Sequence, residues 1–229
     1  MKTIARPLGL ALALAGSAAA LIAAAPPIKG NWLGVIAATP EGGHVRGNPK
    51  AEVKLVEYAS YTCNHCAHFE TESDAALQLS FIKNGRGSFE VRSFLRNPID
   101  ITASLMVQCG ATAKVFGNHS AMLRSQAKWL RNPSQAEAAR WSQGDFTSRM
   151  RAIASDLKLY DVMIPRGYTK VQLDQCLGNQ ALAARLSKQT DEAASKYNIQ
   201  GTPSFLINGE LVQGHDWAAV SQRLKALTR

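Results

Sequence analysis

The sequence predicts an α/β domain, and three stretches of its 229 residues carry that prediction. Val53–Ala59 is a β-branched and aromatic run without Gly or Pro that leads into Cys63-Asn64-His65-Cys66 and a helical pattern. Asn97-Pro98 opens a long, mainly helical region. The last thirty residues read as strand, Asn-Gly turn, strand and closing helix. Strands interleaved with helices at these lengths pack as helices on a sheet.

In chain order, Lys2 and Arg6 precede an uncharged Ala/Leu-rich run from Leu8 to Ala25. This is the layout of a secretory signal over residues 1–25, with small residues at Ala18 and Ala20 offering a cleavage site. An uncleaved membrane anchor is the competing reading, since the run approaches the length of a span. Either way the remainder is expected to be exported. Residues 26–49 hold Pro26, Pro27, Gly30, Gly34, Pro40, Gly42, Gly43, Gly47 and Pro49, and read as a linker or N-terminal arm. Trp32, Leu33, Val35 and Ile36 within it are apolar enough to pack or to form a short element. Residues 50–229 then suffice for one domain with a substantial core.

The Val53–Ala59 strand delivers the Cys-x-x-Cys to a helix whose inward face is set by Cys66, Phe69, Ser73, Ala76, Leu77, Ser80 and Phe81. Thr62 is the expected N-cap. Asn84-Gly85-Arg86-Gly87 breaks the helix, and Ser88–Leu95 reads as a second strand. Beyond Asn97-Pro98 a long helical region is expected, in which Ile101, Leu105, Cys109, Ala113 and Phe116 fall on one stripe. Further helices are expected over Ser120–Leu130, Asp145–Leu159 and Thr169–Leu177, separated by Asn132-Pro133, Gly144 and Pro165-Arg166-Gly167. Gln180–Tyr197 is another. After Gly201-Thr202-Pro203 come a strand over Ser204–Ile207, the Asn208-Gly209 turn, a returning strand to Gln213, and a helix begun by Asp216 and marked by Trp217, Val220 and Leu224.

Two cysteines one helical turn apart can close and reopen a small disulfide ring without refolding the chain. Unsatisfied N–H groups and the positive dipole end at the helix start favour a thiolate at Cys63, the expected nucleophile. Cys66, one turn further in, is the expected resolving cysteine. His65 between them can carry positive charge and donate to a sulfur. Glu57 alternates with Leu55 and Ala59 onto an apolar face, where a desolvated carboxyl of raised pKa can shuttle the Cys66 proton. An edge or surface glutamate is the bland alternative.

The strand, the Glu57 spacing and Cys63-Asn64-His65-Cys66 together resemble the DsbA family of periplasmic thiol-disulfide oxidoreductases. Tyr197-Asn198-Ile199-Gln200-Gly201-Thr202-Pro203-Ser204-Phe205 is similar to the loop which that family sets beside its cysteines, and implies a cis peptide before Pro203. The resemblance implies a thioredoxin-like fold with a helical insertion over about 98–178. It also implies insertion of disulfides into unfolded or reduced exported client proteins, reoxidation by a quinone-linked membrane partner, and no bound cofactor. Thr202 stands where the best-known members carry Val, and resembles disulfide isomerases, so an isomerase or reductase is the alternative direction.

Cys109 and Cys176 are expected to form a second, structural disulfide, with two buried free thiols as the alternative. Cys63, Cys66 and His68 make only part of a zinc set, and no second Cys-x-x-Cys completes it, so no metal is expected. His44, His119 and His215 read as surface histidines. The formal charge of +9 becomes +7 without residues 1–25, which hold Lys2 and Arg6 and no acid. The basic residues are scattered, with no aromatic-interleaved run, which argues against nucleic acid as a partner. A non-catalytic binding module and a metal-binding protein remain as readings of other classes.

Overall fold

The computed structural model describes residues 31–227. The signal or anchor over 1–25 and its cleavage lie outside the described residues, among which no helix is long and apolar enough to cross a membrane.

Six strands form one mixed sheet: β1 (Ile36–Ala38), β2 (His44–Gly47), β3 (Val53–Ala59), β4 (Gly87–Ser93), β5 (Ser204–Ile207) and β6 (Glu210–Leu211), in the spatial order β1-β2-β4-β3-β5-β6. Only β3 and β4 run parallel, in a register that sets Glu57 opposite Val91. The crossover between them is α1 (Asn64–Ala76) with its π-helical continuation over Leu77–Ile82. Pro40, Gly42 and Gly43 in the described part of the N-terminal arm therefore mark a hairpin rather than a linker. Thr39 and Gly43 close its turn with Gly42 at φ +88°, and His44–Gly47 pairs with Ser88–Val91. Ile36–Ala38 and His44–Gly47 of the arm thus belong to the sheet.

Period-two alternation along β3 separates two apolar layers. Val53 and Leu55 pack with Phe69, Leu77, Phe81, Phe205, Val220 and Leu224, so α1 and α10 (Trp217–Leu227) cover one face. The Phe69 and Phe205 rings meet with centroids 4.4 Å apart. Val56 and Tyr58 pack on the other face with Ala193 of α9 (Gln180–Tyr197) and with Ile199 and Leu206.

The insertion comprises α2 (Pro98–Val107), α3 (Val115–Arg124), α4 (Gln126–Trp129), α5 (Gln135–Ser142), α6 (Phe146–Asp156), α7 (Leu159–Met163) and α8 (Lys170–Leu177). The long helical region expected after Pro98 opens as two helices along the Ile101–Phe116 stripe. α2 ends at Val107, and Gly110 at φ +79° turns the chain before α3, because the Ile101–Phe116 stripe continues across a residue that leaves the helical region. Helix α5 falls where the sequence suggested only a break at Asn132-Pro133. It starts at a reciprocal cap in which Ser134 Oγ accepts from Glu137 N–H and Glu137 accepts from Ser134 N–H.

Leu105, Met106, Met122, Leu123, Ile153, Leu157, Met163, Leu173, Leu177 and Leu186 form a continuous core through the insertion, and this core reaches Cys63 and Cys66. Cys109 and Cys176 are disulfide-bonded across it, with Cα atoms 5.6 Å apart and a sequence separation of 67. Closing a loop of that length removes enough unfolded-chain entropy to stabilise by about 4 kcal/mol. The double variant Cys109→Ala/Cys176→Ala is expected to lose about that much in denaturant unfolding, and an unchanged midpoint would show that the bridge does not restrain the unfolded chain.

Candidate active site

The turn Ser60-Tyr61-Thr62 carries the chain from β3 to α1, and the insertion holds it from outside. Asp100, fully buried in the first turn of α2, accepts from Ser60 Oγ at 2.9 Å, from Thr62 N–H at 2.9 Å and from Arg96 N–H at 2.9 Å. Asn97 caps α2 with its side-chain oxygen and donates from Nδ2 to Thr62 Oγ1 at 2.9 Å. Gln126 Nε2 donates to the carbonyls of Tyr61, at 2.7 Å, and Cys63, at 2.9 Å. Thr62 is thus tied to α2 instead of capping α1. Cys63 itself occupies the N-cap position, in extended backbone and without a side-chain cap bond.

That position aims the free N–H groups of α1 at the Cys63 sulfur. Cys63 is 4 % exposed, Cys66 is fully enclosed, and Asn64 and His65 between them face solvent. Both thiols are free. Opposite them the Thr202–Pro203 peptide is cis, and Cys63 Sγ donates to the Thr202 carbonyl at 3.1 Å. The Thr202 hydroxyl is buried with no hydrogen-bond partner among the described residues, which leaves it available to a thiolate. His215, read from the sequence as a surface residue, is exposed yet donates from Nδ1 to the Pro203 carbonyl at 2.8 Å, fixing the loop from behind.

The two sulfurs are driven apart in acidity. A hydrogen bond from the Cys66 thiol, helped by Thr202 and by the N–H groups of Cys66 and His65, outweighs burial and brings Cys63 down to about 5. Burial, its donation to Cys63 and the nearby charges of Glu57 and Cys63 push the Cys66 thiol far up. The arrangement can therefore hold one thiolate and one proton, the two protonation states that a nucleophilic and a resolving cysteine require.

Glu57 lies beneath this pair, 1 % exposed, with neither carboxylate oxygen hydrogen-bonded among the described residues. Burial, and then the charges of Glu70 and Cys63, raise its pKa well above the usual carboxylate range. The surface alternative for Glu57 is excluded by its position in the β3 layer against α1.

Sequence patterning did not reveal a second buried polar group behind α1. Glu70, one turn after Cys66, is 5 % exposed, and burial, partly opposed by Ser120, Arg124 and Arg46, holds it at about 7. His119 was expected at the surface but is 2 % exposed, with Nδ1 3.0 Å from Tyr61 Oη, and burial lowers it to about 3. His44, expected at the surface, is also buried, within the β2–β4 ladder. The Cys66-to-Glu70 spacing of four was the one available signal for this group. Asp100 and Gln126 had none, because their partners in the active-site turn are 38 to 65 residues distant in sequence. Among the described residues no cluster of His, Cys, Asp or Glu is arranged to hold a metal ion.

A family model described as Thioredoxin matches residues 39–226. A relative from Rickettsia conorii bearing the name of a protein-disulfide oxidoreductase is 28% identical over 166 residues, covering 72% of this chain and 53% of its own length. One from Rickettsia prowazekii with the same kind of name is 26% identical over 185 residues, covering 80% and 61%. The chain thus spans between half and two thirds of these curated relatives. Among solved structures, a protein-disulfide isomerase from Novosphingobium aromaticivorans superposes with a TM-score of 0.78 at 46% identity, over 82% of this chain and 97% of that one. The α-DsbA1 of Wolbachia pipientis, 18% identical, shares the fold with a TM-score of 0.66 over 80% of this chain and 89% of its own. With the family match spanning strands β2 to β6, the insertion and both cysteines, the chain belongs to the thioredoxin family and has the DsbA-like fold with inserted helices.

Proposed function

We propose that this chain is an exported thiol-disulfide oxidoreductase that introduces disulfides into reduced or unfolded client proteins through Cys63 and Cys66. The observation that carries this reading is the split in acidity between the two sulfurs at the start of α1, facing the Thr202–Pro203 loop. A client thiolate attacks Cys63 of the oxidised pair, and Cys66 leaves as a thiolate and is protonated. A second client thiol then displaces Cys63, so that the client leaves oxidised and both enzyme cysteines are reduced. A thiolate as acidic as Cys63 stabilises the reduced pair and makes the disulfide the oxidising partner. The names of the Rickettsia relatives support exchange chemistry. The leader-like residues 1–25 support export to a periplasmic compartment, and a quinone-linked membrane protein is the reoxidant that the DsbA resemblance implies.

An isomerase role is the second reading, favoured by Thr202 before the cis-proline and by the name of the Novosphingobium protein. Equilibration with glutathione, together with refolding of scrambled ribonuclease, separates the two. A potential well above about −200 mV with poor rescue of the scrambled substrate is the expected result for an oxidase. Strong rescue or a markedly lower potential would reverse the direction proposed.

A further inference from the structure

Three successive carbonyls of the loop facing Cys63 each have their own donor. The Gly201 carbonyl accepts from Ser204 Oγ at 2.8 Å, the Thr202 carbonyl from Cys63 Sγ at 3.1 Å, and the Pro203 carbonyl from His215 Nδ1 at 2.8 Å. Only His215 comes from outside both the loop and the cysteine turn. A carbonyl can only accept, so the ring proton in this contact sits on Nδ1. Pro203 is buried, and an acceptor there that loses its donor costs about 1–3 kcal/mol unless the loop moves.

His215 is delivered by a short strap, residues 212–216, fixed at both ends. At one end Val212 N–H donates to the Phe205 carbonyl at 2.9 Å. At the other, Asp216 Oδ1 accepts from Ala219 N–H at 2.9 Å at the start of α10, and the Trp217 ring lies edge-on to Phe69 of α1 with centroids 6.2 Å apart. Between them Gly214, at φ +118°, passes so close to α10 that a Cβ there would stand 2.6 Å from the Ala219 Cβ. Glycine alone meets both demands, so the turn that presents His215 to the loop is built into the chain.

We propose, on the footing that Cys63 and Cys66 are the redox couple, that His215 is a positioning residue for the exchange reaction: its hydrogen bond to the Pro203 carbonyl holds Thr202 in register with the Cys63 sulfur. The covalent geometry makes this transmission direct. The Thr202 carbonyl belongs to the planar peptide before Pro203, and the Pro203 carbonyl to the one after it. The pyrrolidine ring locks φ of Pro203, which leaves ψ of that residue as the one soft torsion between the two carbonyls. Pinning the second carbonyl therefore restrains the first, together with the residue that carries the buried, unpartnered Thr202 hydroxyl.

The step served is release of the client. A second client thiolate attacks the client sulfur of the mixed disulfide, a client disulfide forms, and the Cys63–client bond breaks with its electron pair left on Cys63. A Thr202 hydroxyl held at that sulfur donates to the new thiolate and makes Cys63 the better leaving group. His215 touches neither sulfur. Its tie to Pro203 holds whether the imidazole is neutral or protonated, since Nδ1 carries hydrogen in both forms.

The test compares wild type, His215→Ala and His215→Asn. Asparagine offers a donor, Nδ2, close to where histidine has Nδ1, and never carries a charge. In His215→Ala the alkylation midpoint of Cys63 is expected to rise from about 5 by about half a unit to one unit, and release of client from the Cys63 mixed disulfide to slow about two- to threefold. His215→Asn is expected to restore both. A purely structural role would lower thermal stability and leave the thiol midpoint in place. An unchanged Cys63 midpoint in folded His215→Ala overturns the proposal, and so does an Asn variant that behaves as Ala, because the effect would then come from imidazole charge. In the wild-type reduced protein, nitrogen–proton correlation by nuclear magnetic resonance is expected to find the proton of the neutral His215 ring on Nδ1. A proton on Nε2 overturns the proposal even if the alanine variant does not fold. Wild-type cysteines that do not cycle would instead overturn the proposed function, while the imidazole tautomer and the thiol midpoint still decide the role of His215.

Discussion

Cys63→Ala is expected to fold normally and to lose insulin reduction and dithiol oxidation to background, whereas Cys66→Ala is expected to become covalently attached to its clients. The difference follows from where each sulfur sits. Cys63 is at the N-cap of α1, beside the Thr202 carbonyl and next to the exposed first residues of the helix, Asn64 and His65, so it is the sulfur that a client reaches. With Cys66 absent, the Cys63 thiolate still attacks a client disulfide, but nothing inside the protein displaces the client afterwards. Cys66 is enclosed and protonated, so it does not substitute for Cys63 as the entry point. Cys109 and Cys176 are bonded to one another and supply no spare thiol. Non-reducing electrophoresis with mass spectrometry of the adducts reads both outcomes. Turnover by either single variant at the parent's rate would contradict the assignment.

The parts of this site legible in the sequence are those whose signals are local. Val53–Ala59 followed by Cys-x-x-Cys announces a strand, a turn and a helix start within fourteen residues, and the structure places them so. Alternation brought Glu57 onto the buried face. The cis peptide before Pro203 was implied by resemblance to a family loop. What escaped is non-local. Asp100 looks like an ordinary acid in the first turn of a helix, and becomes the anchor of the active-site turn only because α2 docks there. Gln126 and His119 are polar residues on apolar helices, and only the packing of α3 and α4 against the β3–α1 turn turns them inward. The hairpin β1–β2 was hidden for another reason: its Gly and Pro content is the signature of a linker and of a tight turn alike, and pairing with β4 decides between them.

Alkylation of Cys63 in the reduced protein is expected to titrate with a midpoint near 5, against about 8.5 for an ordinary thiol. At pH 6 this raises the thiolate fraction by about 300-fold, while the lower basicity of such a thiolate gives back much of the gain in intrinsic nucleophilicity. The midpoint, not the absolute rate, is therefore the diagnostic quantity. The same shift has a consequence for stability. The folded pKa of Cys63 lies below its unfolded value, so the thiolate stabilises the folded reduced protein fully above the unfolded thiol range and progressively less as pH falls through about 5. The oxidised form has no thiol at Cys63 and lacks this contribution. Denaturant unfolding of the two forms should consequently show a gap in favour of the reduced protein that narrows from neutral pH towards pH 5 and is lost below it. That gap is the source of oxidising power, because whatever stabilises the reduced fold makes the disulfide a better acceptor of client electrons. Parallel pH profiles in the two forms would mean that α1 and Thr202 do not hold a thiolate at Cys63, and the oxidase direction would lose its physical basis.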